Sequence, residues 1–208
     1  MIPGRLEQQE RKRQEMAEKR ASFILASASP RRRKLLTQAG YVFEVIPSEV
    51  DESGFSTEGV GAAEYAKRLA LAKAQNVAQR FAERLVVGAD TIVDFGGQII
   101  GKAKDDKEAQ EIIGRIFSIP HHVITGVAIV RLCDGVEVVE SDSTTVYPRK
   151  MTKQQLTRHL ASGSWRDKAG AYAIQEVGDE FVERIQGSLT NVMGLPMELL
   201  EKLLKRFL

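Results

Sequence analysis

Leu85-Val86-Val87-Gly88-Ala89-Asp90-Thr91-Ile92-Val93-Asp94-Phe95-Gly96-Gly97-Gln98-Ile99-Ile100 decides the fold class. Its first five residues form a continuous apolar run, the pattern of a strand buried in the middle of a sheet. The Gly96-Gly97 pair then turns residues 91–95 back on 98–100 as a hairpin. A buried strand followed by a hairpin rather than a crossover helix breaks a regular βαβ series, and the expected class is mixed α/β.

Upstream, residues 62–84 are rich in Ala, Leu, Lys, Gln and Arg and predict a helix leading into that strand. Phe23-Ile24-Leu25-Ala26 reads as a further buried strand. A helix follows it, with Ser29 as N-cap, Pro30 at the first helical position and Gly40 just past the end. Residues 41–46 predict a strand, and 47–61 form a polar stretch. Downstream, Asp105 and Glu108 stand at capping-box spacing. Residues 122–132 and 136–147 are strand-like and joined at Asp134-Gly135, a strong hairpin signal. A helix is expected near 152–161, then a Gly-rich region of short strands, then an amphipathic helix after Pro196. Residues 1–21, mostly charged residues and glutamines, are expected to be an appendage to a single domain over 22–208.

The composition, 208 residues with 43% hydrophobic and 28% charged, suits an ordinary globular domain. A net charge of +2 gives no reason to expect a general polyanion binder, so phosphate affinity must come from local clusters of Arg and Lys. Basic patches interleaved with aromatics are missing too, and a nucleic-acid partner is not expected. Cys133 is the only cysteine, which excludes an intramolecular disulfide and a multi-thiolate zinc site and fits a cytoplasmic location. No apolar run approaches the roughly 20 residues that cross a bilayer, and no secretory core is present, so a membrane is not an expected partner.

Chemistry is concentrated in a few places. Ser27-Ala28-Ser29-Pro30-Arg31-Arg32-Arg33 lies between a strand and a helix, where free backbone N–H groups and the positive end of the dipole attract an anion. Ser27 and Ser29 add hydroxyls, and Arg31 and Arg32 add planar forks for phosphate oxygens. Read without a ligand, the segment is a capped helix with a solvated basic first turn. Basic residues are disfavoured at this end of a helix by about 0.3–1 kcal/mol each, and a bound phosphate chain would offset that.

Asp90, directly after the apolar run, is placed as if at the end of a central strand, where a carboxylate can hold a divalent metal or accept a proton from water. Gly88 leaves room for close approach. Glu52, within Ser48-Glu49-Val50-Asp51-Glu52, offers a second oxygen ligand, although acidic loops are usually just solvated. Lys73 on its helix and Lys102 at the end of the hairpin are each ambiguous alone. His121, His122 and His159 show no metal-ligand spacing on one helix face, and no histidine-centred mechanism is expected. In Trp165-Arg166-Asp167-Lys168-Ala169-Gly170-Ala171-Tyr172-Ala173-Ile174-Gln175 the small residues permit close backbone approach, and Gln175 could read a base edge.

Five segments together resemble the Maf family of nucleotide pyrophosphatases: residues 25–32, Val87-Gly88-Ala89-Asp90-Thr91, Gly101-Lys102, residues 167–175, and Gly187-Ser188-Leu189-Thr190-Asn191-Val192-Met193-Gly194-Leu195-Pro196. The resemblance covers nearly all the chain after the extension. It implies an elongated, two-lobed α/β fold like that of inosine triphosphatases, with a mixed sheet and a central cleft. It implies hydrolysis of a nucleoside triphosphate between the α- and β-phosphates, with Asp90 as general base and Glu52 and Asp90 holding Mg²⁺ or Mn²⁺. Arg31, Thr91 and Gln175 match positions that tune substrate choice, Lys73 and Lys102 match lysines facing the phosphates, and Asp167 is a further candidate for the metal shell. The segment Asp-Lys-Ala-Gly-Ala-Tyr followed by Ile-Gln is similar to the branch that cleaves dTTP and UTP. Ala103, Glu176 and Leu189 depart from the family pattern, and Glu176 bears on base preference. The alternatives are cleavage of 7-methyl-GTP or another modified purine, and a nucleotide- or nucleic-acid-binding regulator of cell division. A homodimer is implied by resemblance alone.

Overall fold

The computed structural model describes residues 23–166, 168–172 and 181–208. The expected extension over 1–21, and Asp167, Gln175 and Glu176, lie outside the described residues. The described elements are β1 (Phe23–Leu25), α1 (Pro30–Gln38), β2 (Phe43–Val45), α2 (Ala62–Ala78), β3 (Val86–Phe95), β4 (Gln98–Ile100), α3 (Asp106–Ile116), β5 (His121–Arg131), β6 (Val136–Pro148), α4 (Lys153–Ala161), β7 (Val182–Gln186), α5 (Leu189–Val192) and α6 (Met197–Leu204). One mixed seven-stranded sheet has the order β2-β1-β3-β5-β6-β7, with β4 also paired to β3. The β2, β1 and β3 strands are parallel, and every pairing beyond β3 is antiparallel.

Most local signals have their expected outcome. Ser29 caps α1, with Pro30 as its first residue. Asp105 caps α3, and Thr152 forms a capping box with Gln155 at α4. The hairpins turn at Gly96-Gly97 and at Gly135, all three with positive φ.

Two expectations need correction. The helix expected over 62–84 ends at Ala78. Tight turns bond Arg80 to Val77 and Arg84 to Phe81, and Cys133 N–H donates to the Ala82 carbonyl, so the chain reverses in time to enter β3. Helix-forming composition is overridden there by tertiary bonds. Nor does the central strand end before Asp90. It continues to Phe95, because β5 pairs with it without a break from Val86↔Val130 to Asp94↔His122. Asp90 is therefore a carboxylate in mid-strand.

Alternation along β3 and β5 divides the core. On one face, Val87, Ala89, Val127 and Ile129 pack with Leu35, Leu36, Leu200 and Leu203 of α1 and α6. Further along that face, Val93 and Val123 pack with Ile112, Ile113 and Ile116 of α3. The polar pair Thr91 and Thr125 separates these two cores, in direct register across the strands. The other face is covered by α2, whose Ala66, Ala70 and Ala74 lie over Gly126 and Gly88.

Those two glycines set the height of α2. A Cβ built on Gly88 would lie 2.3 Å from the Ala70 carbonyl oxygen, and one on Gly126 would lie 2.3 Å from that of Ala66. Backbone blocks both sites, so any side chain must lift the helix. Gly126→Ala is expected to lower unfolding free energy by about 1–3 kcal/mol, measured by urea denaturation. Gly114→Ala in α3, where an added Cβ meets nothing within 4 Å, is expected to raise it by about 0.5–1 kcal/mol. Equal effects from the two substitutions would rule out the close packing of α2.

Candidate functional site

The site begins as a notch in the sheet. Pairing of β1 with β3 ends at Val87, and pairing of β4 begins at Val93. Between them the β1 side of β3 has no neighbouring strand among the described residues, and a cleft of about 560 Å³ opens there. Successive residues point to opposite faces of a strand. Asp90 therefore turns toward α2, while Thr91 turns toward the polar seam between the two cores.

Asp90 is buried, and the buried ammonium of Lys73 meets it at 2.5 Å. The same ammonium reaches Glu52 Oε1 at 2.7 Å, and Lys102 stands 3.8 Å from Glu52 Oε2. Glu52 opens a short 3₁₀ turn whose cap is Asp51; the Asp51 carboxylate is used on Ser53, leaving Glu52 to face the cleft. Glu49 N–H donates to Asn76 of α2 at 3.0 Å, tying this loop to the helix that carries Lys73. Burial pushes the Glu52 carboxyl up, but Lys73, Lys102 and Arg32 outweigh it and hold it below the usual carboxylate range.

Two carboxylates converging on one cation are an oxygen donor set that suits Mg²⁺ or Mn²⁺, and the Lys73 ammonium stands in for that charge. Among the described residues no cluster of three or more His, Cys, Asp or Glu could hold a metal. A set this small fits an ion that keeps waters and takes further ligands from substrate phosphates.

Ser27, Ser29, Arg31 and Arg32 line the cleft from the β1–α1 connection. Arg32 is buried and largely committed to the wall. Its Nε donates to the Gly194 carbonyl at 2.7 Å, Nη1 to Ser27 Oγ at 3.0 Å and Nη2 to Thr91 Oγ1 at 3.1 Å. Burial pushes its guanidinium down, offset in part by Asp90. Arg31, also lowered by burial, has no such set of bonds among the described residues and is the freer fork. Among the described residues six basic side chains and two carboxylates line the cleft, an excess of four positive charges.

Of the expected site residues, Ser27, Ser29, Arg31, Arg32, Glu52, Lys73, Asp90, Thr91 and Lys102 thus share one cleft, while Gln175 and Asp167 lie outside the described residues. The room expected at Gly88 is filled by α2 and serves no ligand. The segment 168–172 approaches closely as expected: Gly170 N–H donates to the Gly101 carbonyl at 3.0 Å, and Ala169 bridges Lys102.

Sequence reasoning missed the supports. Thr125 bonds Thr91 at 2.9 Å and the Asn191 carbonyl at 3.2 Å, and Asn191 reaches the Val123 carbonyl at 2.9 Å and Thr144 at 3.0 Å. His159 Nε2 meets the Ala171 carbonyl at 2.9 Å, where Ala171 adopts a positive φ that a non-Gly residue rarely takes. His121 Nε2 meets the hydroxyl of Tyr172, which lines the cleft, at 2.5 Å. Histidine spacing gave no signal for these roles, because both rings act as internal props.

The fold and cleft define an α/β protein with an electropositive site built around a carboxylate pair. A family model described as Maf-like protein matches residues 22–207, and the chain belongs to that family. It is 46% identical to the dTTP/UTP pyrophosphatase of Elusimicrobium minutum, covering 89% of this chain and 98% of that one. Identity to the dTTP/UTP pyrophosphatase of Geotalea uraniireducens is 42%, over 88% and 93% of the two chains. For that of Clostridioides difficile it is 37%, over 89% and 95%. The solved structure of the Staphylococcus aureus Ham1 protein aligns with a TM-score of 0.47 at 14% identity, over 89% of this chain and 98% of that one.

Burial lowers the pKa of His121 from 6.5 to about 4. Between those values the unfolded chain takes a proton at this ring that the folded chain refuses. Its contribution is present above pH 6.5 and is lost as pH falls toward 4, by up to about 3 kcal/mol. Denaturant unfolding across this window should therefore show a shallower loss of stability in His121→Gln than in the unsubstituted chain. Identical slopes would mean that His121 titrates normally.

Proposed function

We propose that this chain is a nucleoside triphosphate pyrophosphatase that converts UTP and dTTP to the nucleoside monophosphate and pyrophosphate. The observation that carries the reading is the Glu52–Lys73–Asp90 cluster, set in a notch beside the basic start of α1. The names of its relatives support the activity and the pyrimidine preference.

A triphosphate brings about four negative charges, matched by the basic excess of the cleft. Arg31, the hydroxyls of Ser27 and Ser29 and the N-terminal N–H groups of α1 bind phosphate oxygens. Arg32 keeps this wall in shape through Gly194 and Thr91. Water attacks the α-phosphorus, its proton passes to Asp90, and the bridging oxygen leaves with the pyrophosphate. Lys102, exposed at the rim, offsets charge on the departing group. Glu52 and Asp90 would hold Mg²⁺ or Mn²⁺, and a divalent ion bound there supplies Lewis-acid polarisation of phosphate oxygens.

Arg31, Thr91 and Gln175 are proposed to tune the choice of base, Gln175 through the paired donor and acceptor of its amide. Asp167 is a further proposed member of the metal shell. The same reading takes residues 22–208 as one domain carrying a 21-residue extension. It places the protein in the cytoplasm, supported by the single free, exposed Cys133. Among the described residues no helix is long and apolar enough to cross a membrane. A homodimer rests on family resemblance.

A panel of nucleoside triphosphates with Mg²⁺ or Mn²⁺, resolved by chromatography, tests the function. UTP and dTTP should yield monophosphate and pyrophosphate, and Asp90→Asn should lower kcat by about 10²- to 10⁴-fold. Cleavage confined to a methylated purine would move the specificity, and release of orthophosphate with a diphosphate would overturn the α-phosphate mechanism.

A further inference from the structure

Lys73 occupies an unusual place for a lysine that serves only to grip phosphate. Its ammonium spans the carboxylate pair, with Asp90 Oδ1 at 2.5 Å and Glu52 Oε1 at 2.7 Å. It is buried, and so is Asp90. Its backbone is held by α2, which Gly88 and Gly126 seat against the sheet, so Lys73 is anchored within reach of both carboxylates. Lys102 faces the remaining Glu52 oxygen at 3.8 Å, and the Arg32 guanidinium acts on both carboxylates.

From this geometry we infer that Lys73 is a built-in counter-cation that keeps Glu52 and Asp90 from holding a divalent ion until a triphosphate fills the cleft. This rests on the proposed reading of the site as a metal-assisted pyrophosphatase. A bare divalent ion arriving at the pair meets an ammonium already bonded to both carboxylates, with two further cations close by. A triphosphate changes that balance: its oxygens give the ammonium a new anionic partner, freeing oxygens of Glu52 and Asp90. Its charge also offsets Lys102, Arg31 and Arg32. Metal and nucleotide then bind with positive coupling, and each must raise the affinity for the other by the same factor. The device spares the free enzyme from holding a metal with nothing to cleave.

The test is Mn²⁺ binding to the full chain, followed by the paramagnetic resonance signal of the free and protein-bound ion. Unsubstituted protein without nucleotide should bind Mn²⁺ weakly, and Lys73→Met should bind it at least about tenfold more tightly. Lys73→Arg, which keeps the charge, should stay weak. The double substitution Lys73→Met with Asp90→Asn should lose the gain, which places the ion at the carboxylate pair. Nucleotide-free affinity that is equal or lower in Lys73→Met overturns the inference.

Should Lys73→Met fail to fold, the unsubstituted protein decides. Protein-bound Mn²⁺ that appears only on adding α,β-methylene-UTP, which resists cleavage at the scissile bond, supports the inference. Protein-bound Mn²⁺ of the same affinity with and without that nucleotide overturns it, while the function stands if UTP cleavage requires the ion. Undiminished UTP cleavage in a chelator removes the metal-assisted reading itself, and this inference with it.

Discussion

Contact between α2 and the sheet at backbone distance is the constraint on which the site depends. Gly88 and Gly126 have no side chains to hold the helix away, and Ala66, Ala70 and Ala74 present a correspondingly shallow surface. Close packing of this kind places Lys73 against a carboxylate in the middle of β3. A buried, unpaired Asp90 would destabilise the strand by several kcal/mol, and an unpaired buried ammonium would do the same. Each charge is tolerated because the other is fixed opposite it.

A second set of constraints acts on the opposite face. The stripe of apolar residues along β3 and β5 is interrupted by Thr91 and Thr125, and the interruption separates two cores. Polar groups there must be bonded or they cost stability. They are bonded by Arg32 from α1 and by the 187–196 segment, through the carbonyls of Gly194 and Asn191. Gly187 and Gly194 both have positive φ, and a Cβ on Gly187 would lie 2.7 Å from Thr144 Oγ1, so this segment can hug the strands only with glycine there. The cleft thus has a rigid wall on each side: an ion pair beneath α2, and a hydrogen-bonded seam on the other face.

The third wall is the least regular. Residues 168–172 carry two consecutive positive-φ positions, Gly170 and Ala171. Backbone strain at Ala171 persists because neighbours over-determine it. The Gly101 carbonyl, the ring of His159 and the ring of His121 fix three successive residues. The bridge between Ala169 and Lys102 joins this segment directly to a lysine at the carboxylates, linking two parts of the site through main chain.

The sequence by itself determined what short-range physics controls. Ser29 and Asp105 as caps, the glycine turns, the alternation in the long hairpin and the mixed fold class are all written within a few residues of where they act. Local chemistry picked out Ser27, Ser29, Arg31, Arg32, Asp90 and Glu52, left Lys73 and Lys102 ambiguous, and family resemblance joined them in one site and added Thr91. Tertiary structure alone decided the rest. It carried β3 past Asp90, ended α2 at Ala78, used Gly88 for a helix, committed Arg32 to a wall and made props of two histidines. Each of these outcomes depends on partners far away in the chain, such as Arg32 with Gly194 or Lys73 with Asp90. Burial and pairing at such distances are set only when the whole chain packs, because the energy of a buried charge lies in its surroundings and not in its own side chain.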